Sequence, residues 1–158
     1  MSRTLQDAQR AAEAALRPVA GVEELQVVGA VHDRVLDQLG ILTSARSVWL
    51  HPDVVQRIQR KASQAPDPEF VLSHMAGTIL RPRWVGFEGR SPRRAGHVHL
   101  VGAHELPLCV TVRFVAGGKS LSGLDEIWVS GAFPLGPRSL TRLRRRDRLV
   151  AVEWEADD

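Results

Sequence analysis

The sequence predicts an α+β domain, with N-terminal helices packed on one face of a twisted antiparallel sheet of four to five strands. Three observations predict it. Apolar residues recur at the helical period through the first half of the chain and switch to alternation from "RWVGFEG" onward. The alternating segments are short, and turn-rich runs such as "GRSPRRAG" and "AGGKSLSG" separate them in the manner of a meander. Helices come first and strands after, the order of a sheet covered on one side rather than of alternating βαβ units.

The elements follow in order. "TLQDAQRAAEAALR" has a capping-box start at Thr4 and Asp7 and a weak stripe of Leu5, Ala8, Ala12, Ala15 and Leu16, ended by Pro18 and Gly21. "HDRVLDQLGIL" is a short helix that starts at His32 and stops at Gly40. "RSVWL" is a strand running into "HPDVVQRIQRKASQ", where Pro52 suits the first helical position and Val54, Val55 and Ile58 form the buried stripe. "APDPEFVLSHMAGTIL" restarts the helix with Asp67 as N-cap and ends it before Pro82. Strands "RWVGFEG", "HVHLV", "LCVTVRFV" and "EIWVS" come next, then a basic turn or helix, "GPRSLTRLRRRDR", and a last strand, "LVAVEW". Two parts result: a helical N-terminal extension over 1–45 and an α+β domain over 46–158.

A chain of 158 residues fits one domain with a proper core, and 44% hydrophobic residues exclude disorder. No apolar run reaches the roughly 18 residues of a membrane span. The first residues lack the apolar stretch of a secretory signal, so a cytoplasmic protein is expected. One cysteine, Cys109, excludes an internal disulfide framework and a multi-thiolate metal site, and reads as a small sheet residue. Lys61 and Lys119 are the only lysines among 21 basic residues. Arginine bias suits bidentate phosphate recognition, and a GC-rich coding sequence would also give it. Residues 1–45 carry 4 basic and 6 acidic residues and residues 46–137 carry 11 and 7, a mild positive field over the middle of the chain.

Parity along the meander sorts the strand residues into two sets. Val98, Leu100, Leu108, Val110, Val112, Phe114, Ile127 and Val129 share one face. His97, His99, Thr111, Arg113, Glu126, Trp128 and Ser130 share the other. A solvated sheet face gathers polar residues with no further role, but this set also has the parts of metal-independent RNA cleavage. Imidazoles serve as general acid and base. An arginine stabilises charge on a pentacoordinate phosphate, a serine holds a phosphate oxygen, and a tryptophan offers a stacking platform for a base. His97 and His99 have no third partner at metal-ligand spacing, so no metal and no cofactor is expected. His74 reads as a partly buried packing residue and His104 as a turn residue. Arg93 and Arg94, in the loop before the histidine strand, are placed to meet substrate phosphates. The run from Arg138 to Arg148 is either a grip on a phosphate backbone or a solvated face balanced by the acidic tail.

The succession "SVWLHPDVVQRIQRK", "LSHMAGTILRPRWVGF", "LPLCVTVRF" and "EIWVSGAFPL" resembles the phage and prophage members of the Barnase–EndoU–colicin E5/D–RelE nuclease superfamily over about residues 46–152. The resemblance implies an RNase-like α+β fold, with Arg113 as the basic strand residue and Ser130 as the strand-ending Ser/Thr. It puts Lys61 where that family carries a helix histidine, and His51 where a serine or threonine is common. The implied function is a metal-independent endoribonuclease, a hydrolase of toxin or phage type acting by 2′-hydroxyl attack. His97 and His99 would then be the acid–base pair, with Arg113 and Ser130 catalytic. Lys61, Arg93, Arg94, Thr111 and Trp128 would contact the substrate. Its partners would be RNA and a cognate inhibitor protein, with no membrane. The missing helix histidine keeps open a non-catalytic module that binds RNA or protein on a degenerate nuclease fold. No phosphate-binding glycine loop, metal signature or nucleophile elbow supports a small-molecule enzyme.

Overall fold

In chain order the elements are β1 (Gln26–Ala30), α1 (Asp33–Leu39), β2 (Ser47–Leu50), α2 (Pro52–Lys61), α3 (Pro68–Leu80), β3 (Trp84–Phe87), β4 (His97–Gly102), β5 (Leu108–Val115), β6 (Glu126–Pro134), α4 (Pro137–Arg146) and β7 (Val150–Ala151). They belong to a computed structural model that describes residues 25–61, 68–88, 96–102 and 107–154. The N-terminal helix expected before Pro18, the Asp67 cap, Arg93, Arg94 and His104 lie outside the described residues.

Local chemistry accounts for the helix ends. His32 caps α1, its Nδ1 accepting the Arg34 backbone N–H at 3.0 Å, and Gly40 closes the helix at φ 69°, a left-handed conformation that glycine adopts without strain. Proline opens α2, α3 and α4, where its missing N–H is no loss.

The sheet differs from the expected one. It has seven strands in the order β1-β2-β6-β5-β4-β3-β7, not four or five, and it is mixed rather than antiparallel. The exception is β2 beside β6, which run parallel. After β2 the chain passes through two helices and the meander before β6 returns alongside it, a crossover that parity within single strands does not reveal. The expected extension over 1–45 is corrected as well. β1 pairs antiparallel with β2, and α1 contributes Val35 and Leu36 to the main core, so residues 26–39 are part of the sheet domain. β1 has five residues and an irregular register at Val27/Gly29, too short and too broken for alternation to stand out.

Helices cover both faces rather than one. On the first, Val98, Leu100, Leu108, Val110, Val112, Ile127 and Val129 form one core with Val54 and Ile58 of α2 and Val71, Met75 and Ile79 of α3. The apolar set read from parity is therefore this core. On the second face, α4 lays Leu143 and Leu140 over Val101 and Cys109, with Trp84 and Leu149 at the margin. Leu25, Trp49 and Trp128 form a third cluster toward the β1–β2 end. The face expected to be open is thus largely covered. The cause is α4, which follows the last meander strand and folds back over it.

Candidate functional site

Two environments share the second face, and both are built from residues of the polar set. The first lies under the end of α4. His99 is 2% exposed, its Nε2 lies 2.9 Å from Asp147 Oδ2, and its Nδ1 lies 2.9 Å from Thr111 Oγ1. The Cys109 sulfur sits 3.4 Å from the same Nδ1. The carboxylate beside Nε2 favours the tautomer protonated there, with Nδ1 accepting from the Thr111 hydroxyl, although the Nε2–carboxylate contact lacks hydrogen-bond geometry. Burial is the largest influence on His99 and lowers its pKa; the Glu88 and Asp147 charges oppose it without overcoming it. Burial likewise pushes the Cys109 thiol up to about 12, which leaves it inert as a nucleophile. Asp147 is completed by Arg146, whose Nε and Nη2 lie 3.2 and 3.3 Å from its two oxygens.

Backbone geometry permits this arrangement. Gly86 is the β3 neighbour of His99, and a Cβ there would come within 2.9 Å of the Asp147 carbonyl and 2.8 Å of Leu149. Glycine at that position lets the chain after α4 descend onto the sheet beside His99. Asp147, absent from the sequence reading, has no signal in sequence periodicity. Only the reversal after α4 brings it to the histidine.

The second environment is open. Where β2 ends, β6 continues without it, and α2 lies alongside, leaving a cleft of about 400 Å³. Its cationic lining is Arg57 of α2, Arg113 of β5 and Lys119 of the β5–β6 loop, all exposed. Among the described residues none of the three has a carboxylate partner. His51 lines the same cleft from the end of β2, about a third exposed. Its Nδ1 accepts the Asp53 N–H at 3.1 Å, capping α2, and lies 3.6 Å from the Asp53 carboxylate.

The floor of the cleft is fixed by its own hydrogen bonds. Glu126 accepts from Ser122 N at 2.7 Å, Ser122 Oγ at 2.6 Å and Trp128 Nε1 at 2.8 Å. Burial works to raise its pKa, but these donors favour the charged form and the net shift is downward. Asp125, held by Ser44 N, Thr43 Oγ1 and Gly117 N, ties the same loop to the segment after α1 and is shifted down by those bonds. Ser130 sits in a β-bulge opposite Thr111 and donates to the Thr111 carbonyl at 3.1 Å.

The structure therefore brings Arg113, Trp128 and Ser130 together in the cleft, with Thr111 and Ser130 lining an adjoining cavity. His97 and His99 are buried and line neither, although His97 stands directly across the ladder from Arg113. Trp128 is corrected from an open stacking platform. It is 8% exposed, tilts against Trp49 with ring centroids 6.4 Å apart, and gives its N–H to Glu126. The Lys61 side chain lies outside the described residues. His74 is half-buried and stacked on Phe70. Sequence parity missed His51, Arg57 and Lys119 because they sit on a helix start, a helix and a loop. The one available signal was the basic charge of the segment holding them.

Among the described residues no group of three or more His, Cys, Asp or Glu is placed to hold a metal ion. No described helix is long and apolar enough to cross a membrane. Comparison of the chain with protein-family models, curated proteins and solved structures finds no match.

Proposed function

We propose that this chain is a metal-independent endoribonuclease of the Barnase–EndoU–colicin E5/D–RelE type, with the α2–β5–β6 cleft as its site. The observation that supports it best is the convergence of Arg57, Arg113 and Lys119 with a half-open imidazole, His51, on one concavity. Unpaired cations gathered in a cleft attract a phosphodiester and stabilise the extra charge of a pentacoordinate phosphorus. To act as base, His51 changes tautomer: Nδ1 gives up the Asp53 N–H and carries the proton beside the Asp53 carboxylate, and Nε2 takes the 2′-hydroxyl proton. The 2′-oxygen attacks phosphorus, the bond to the 5′-oxygen breaks, and the imidazolium returns the proton to that oxygen. The products are a 2′,3′-cyclic phosphate and a 5′-hydroxyl end. In this reading Ser130 is a positioning residue that pins the bulge beside Arg113, and the acid–base work moves from His97 and His99 to His51.

A second reading, RNA binding without cleavage, is favoured by one observation: His51 Nδ1 already serves as the acceptor that caps α2. One experiment separates them. RNA is incubated in EDTA with the parent and with His51→Asn, a substitution that keeps a good N-cap but does not titrate. Cyclic phosphate ends from the parent, lost in His51→Asn while RNA binding persists, support cleavage at this site. Equal cleavage by both proteins removes His51 from the mechanism. Binding with no cleavage by the parent selects the second reading.

A further inference from the structure

The cleft does not use the most basic element of the molecule. α4 reads Pro-Arg-Ser-Leu-Thr-Arg-Leu-Arg-Arg-Arg, with five arginines and no acidic residue. Its inward stripe is spent on the sheet, Leu143 buried and Leu140 packed beside it. Two arginines are also committed: Arg144 lies over the Trp84 ring at 5.2 Å, and Arg146 is held by Asp147. The remaining three, Arg138, Arg142 and Arg145, recur at i, i+4 and i+7 and so share the face turned away from the sheet. They climb the helix in steps of about 6 and 4.5 Å. All are exposed, none has an ion-pair partner among the described residues, and they border a concavity of about 790 Å³ with Pro137 and Thr141.

We infer that this outer row of α4 is a second docking surface, a track for the phosphates of a single-stranded RNA that extends beyond the cleft. The choice of RNA rests on the cleft's proposed function. The polyanion itself is chosen by chemistry on the helix. Three guanidiniums in a row, without an ion-pair partner among the described residues, match a chain of phosphates, each able to take two oxygens at once. An anionic membrane is a poorer match, because a membrane-surface helix needs an apolar face to insert and α4 has buried its own against Val101 and Cys109.

The test uses a 2′-O-methyl RNA 12-mer, which cannot be cut, and follows binding by fluorescence anisotropy over a range of salt. Three proteins are compared: the parent, Arg138→Gln/Arg142→Gln/Arg145→Gln, and Arg113→Gln/Lys119→Gln. Glutamine keeps the helix propensity, and equal melting temperatures check the fold. Loss of three phosphate contacts lowers the slope of log K against log salt by about 2, and loss of the two cleft cations lowers it by about 1.4. Cleavage of a dinucleotide, too short to reach α4, stays at the parent rate in the α4 variant. An unchanged slope in the α4 variant overturns the inference. So does a variant that loses binding only to phosphatidylserine vesicles. If the α4 variant loses slope while the cleft variant does not, the track stands and the cleft's proposed function falls. If the parent does not bind the RNA, both fall.

Discussion

Two regions of one sheet face contain the same kinds of side chain and behave in opposite ways. Beside α4, a histidine, a threonine, a cysteine and an aspartate are closed off from water and packed against one another. A few residues away, a histidine, two arginines and a lysine face an open cleft; its Glu126 carboxylate is tied to Ser122 and Trp128, and the three cations have no ion-pair partner among the described residues. The difference is whether a helix covers the strand. A covered polar residue must find a partner within the protein or destabilise it. An uncovered one can leave its hydrogen-bonding capacity for a ligand. Residue type alone does not say which; His97 and His99 have the chemistry of a nuclease pair and the surroundings of a core.

Removing a member from each region sharpens the contrast. Asp147→Ala leaves the buried His99 imidazole without its carboxylate and the exposed Arg146 without its partner, and is expected to cost about 1–3 kcal/mol, the usual penalty for an unsatisfied buried polar group. Denaturant unfolding measures the loss, while RNA cleavage per folded molecule holds steady. A drop in turnover at full folding would instead put the buried cluster into the mechanism.

The next effect runs the other way. If the cleft cleaves RNA as proposed, Arg113→Ala lowers cleavage roughly 10²–10³-fold, as for other losses of transition-state charge stabilisation. The melting temperature stays unchanged because the guanidinium is exposed and free of protein ion pairs among the described residues. A variant that melts early yet cuts normally would reverse the roles of the two regions.

The smallest effect is a pH dependence. Burial holds the pKa of folded His99 below its ordinary value of 6.5, so the unfolded chain takes up this proton first as pH falls. Its contribution to stability is complete above about pH 6.5 and is lost as pH falls toward the folded pKa. Between about pH 7.5 and 5.5 the parent should lose stability more steeply than His99→Gln. Parallel curves would mean that the imidazole is solvated in the folded protein, contrary to its burial.

How much of this was legible from residue order varies with the range of the interaction that decides it. The caps of α1 and α2 are local, and His32, Gly40 and Pro52 announce them. So is the parity that placed Val98, Leu100, Val110, Val112, Ile127 and Val129 in the core. That Arg113 and Ser130 share a sheet face was also legible, since both lie on strands of a recognisable meander, and both line the cleft. His51, Arg57 and Lys119 were not, because their meeting depends on β2 lying parallel to β6 and ending early beside it.

The sequence by itself determined the types of the described elements other than β1, most of their limits and the apolar face of the sheet, all set by interactions between residues close along the chain. The tertiary structure alone decided the seven-strand order, the burial of His97 and His99, the partnership of His99 with Asp147 and the position of the cleft. These rest on contacts between distant segments: α4 folding back over β4 and β5, and β6 returning to β2. Periodicity tells which side of a strand a residue occupies, but only the packed chain decides what lies on that side.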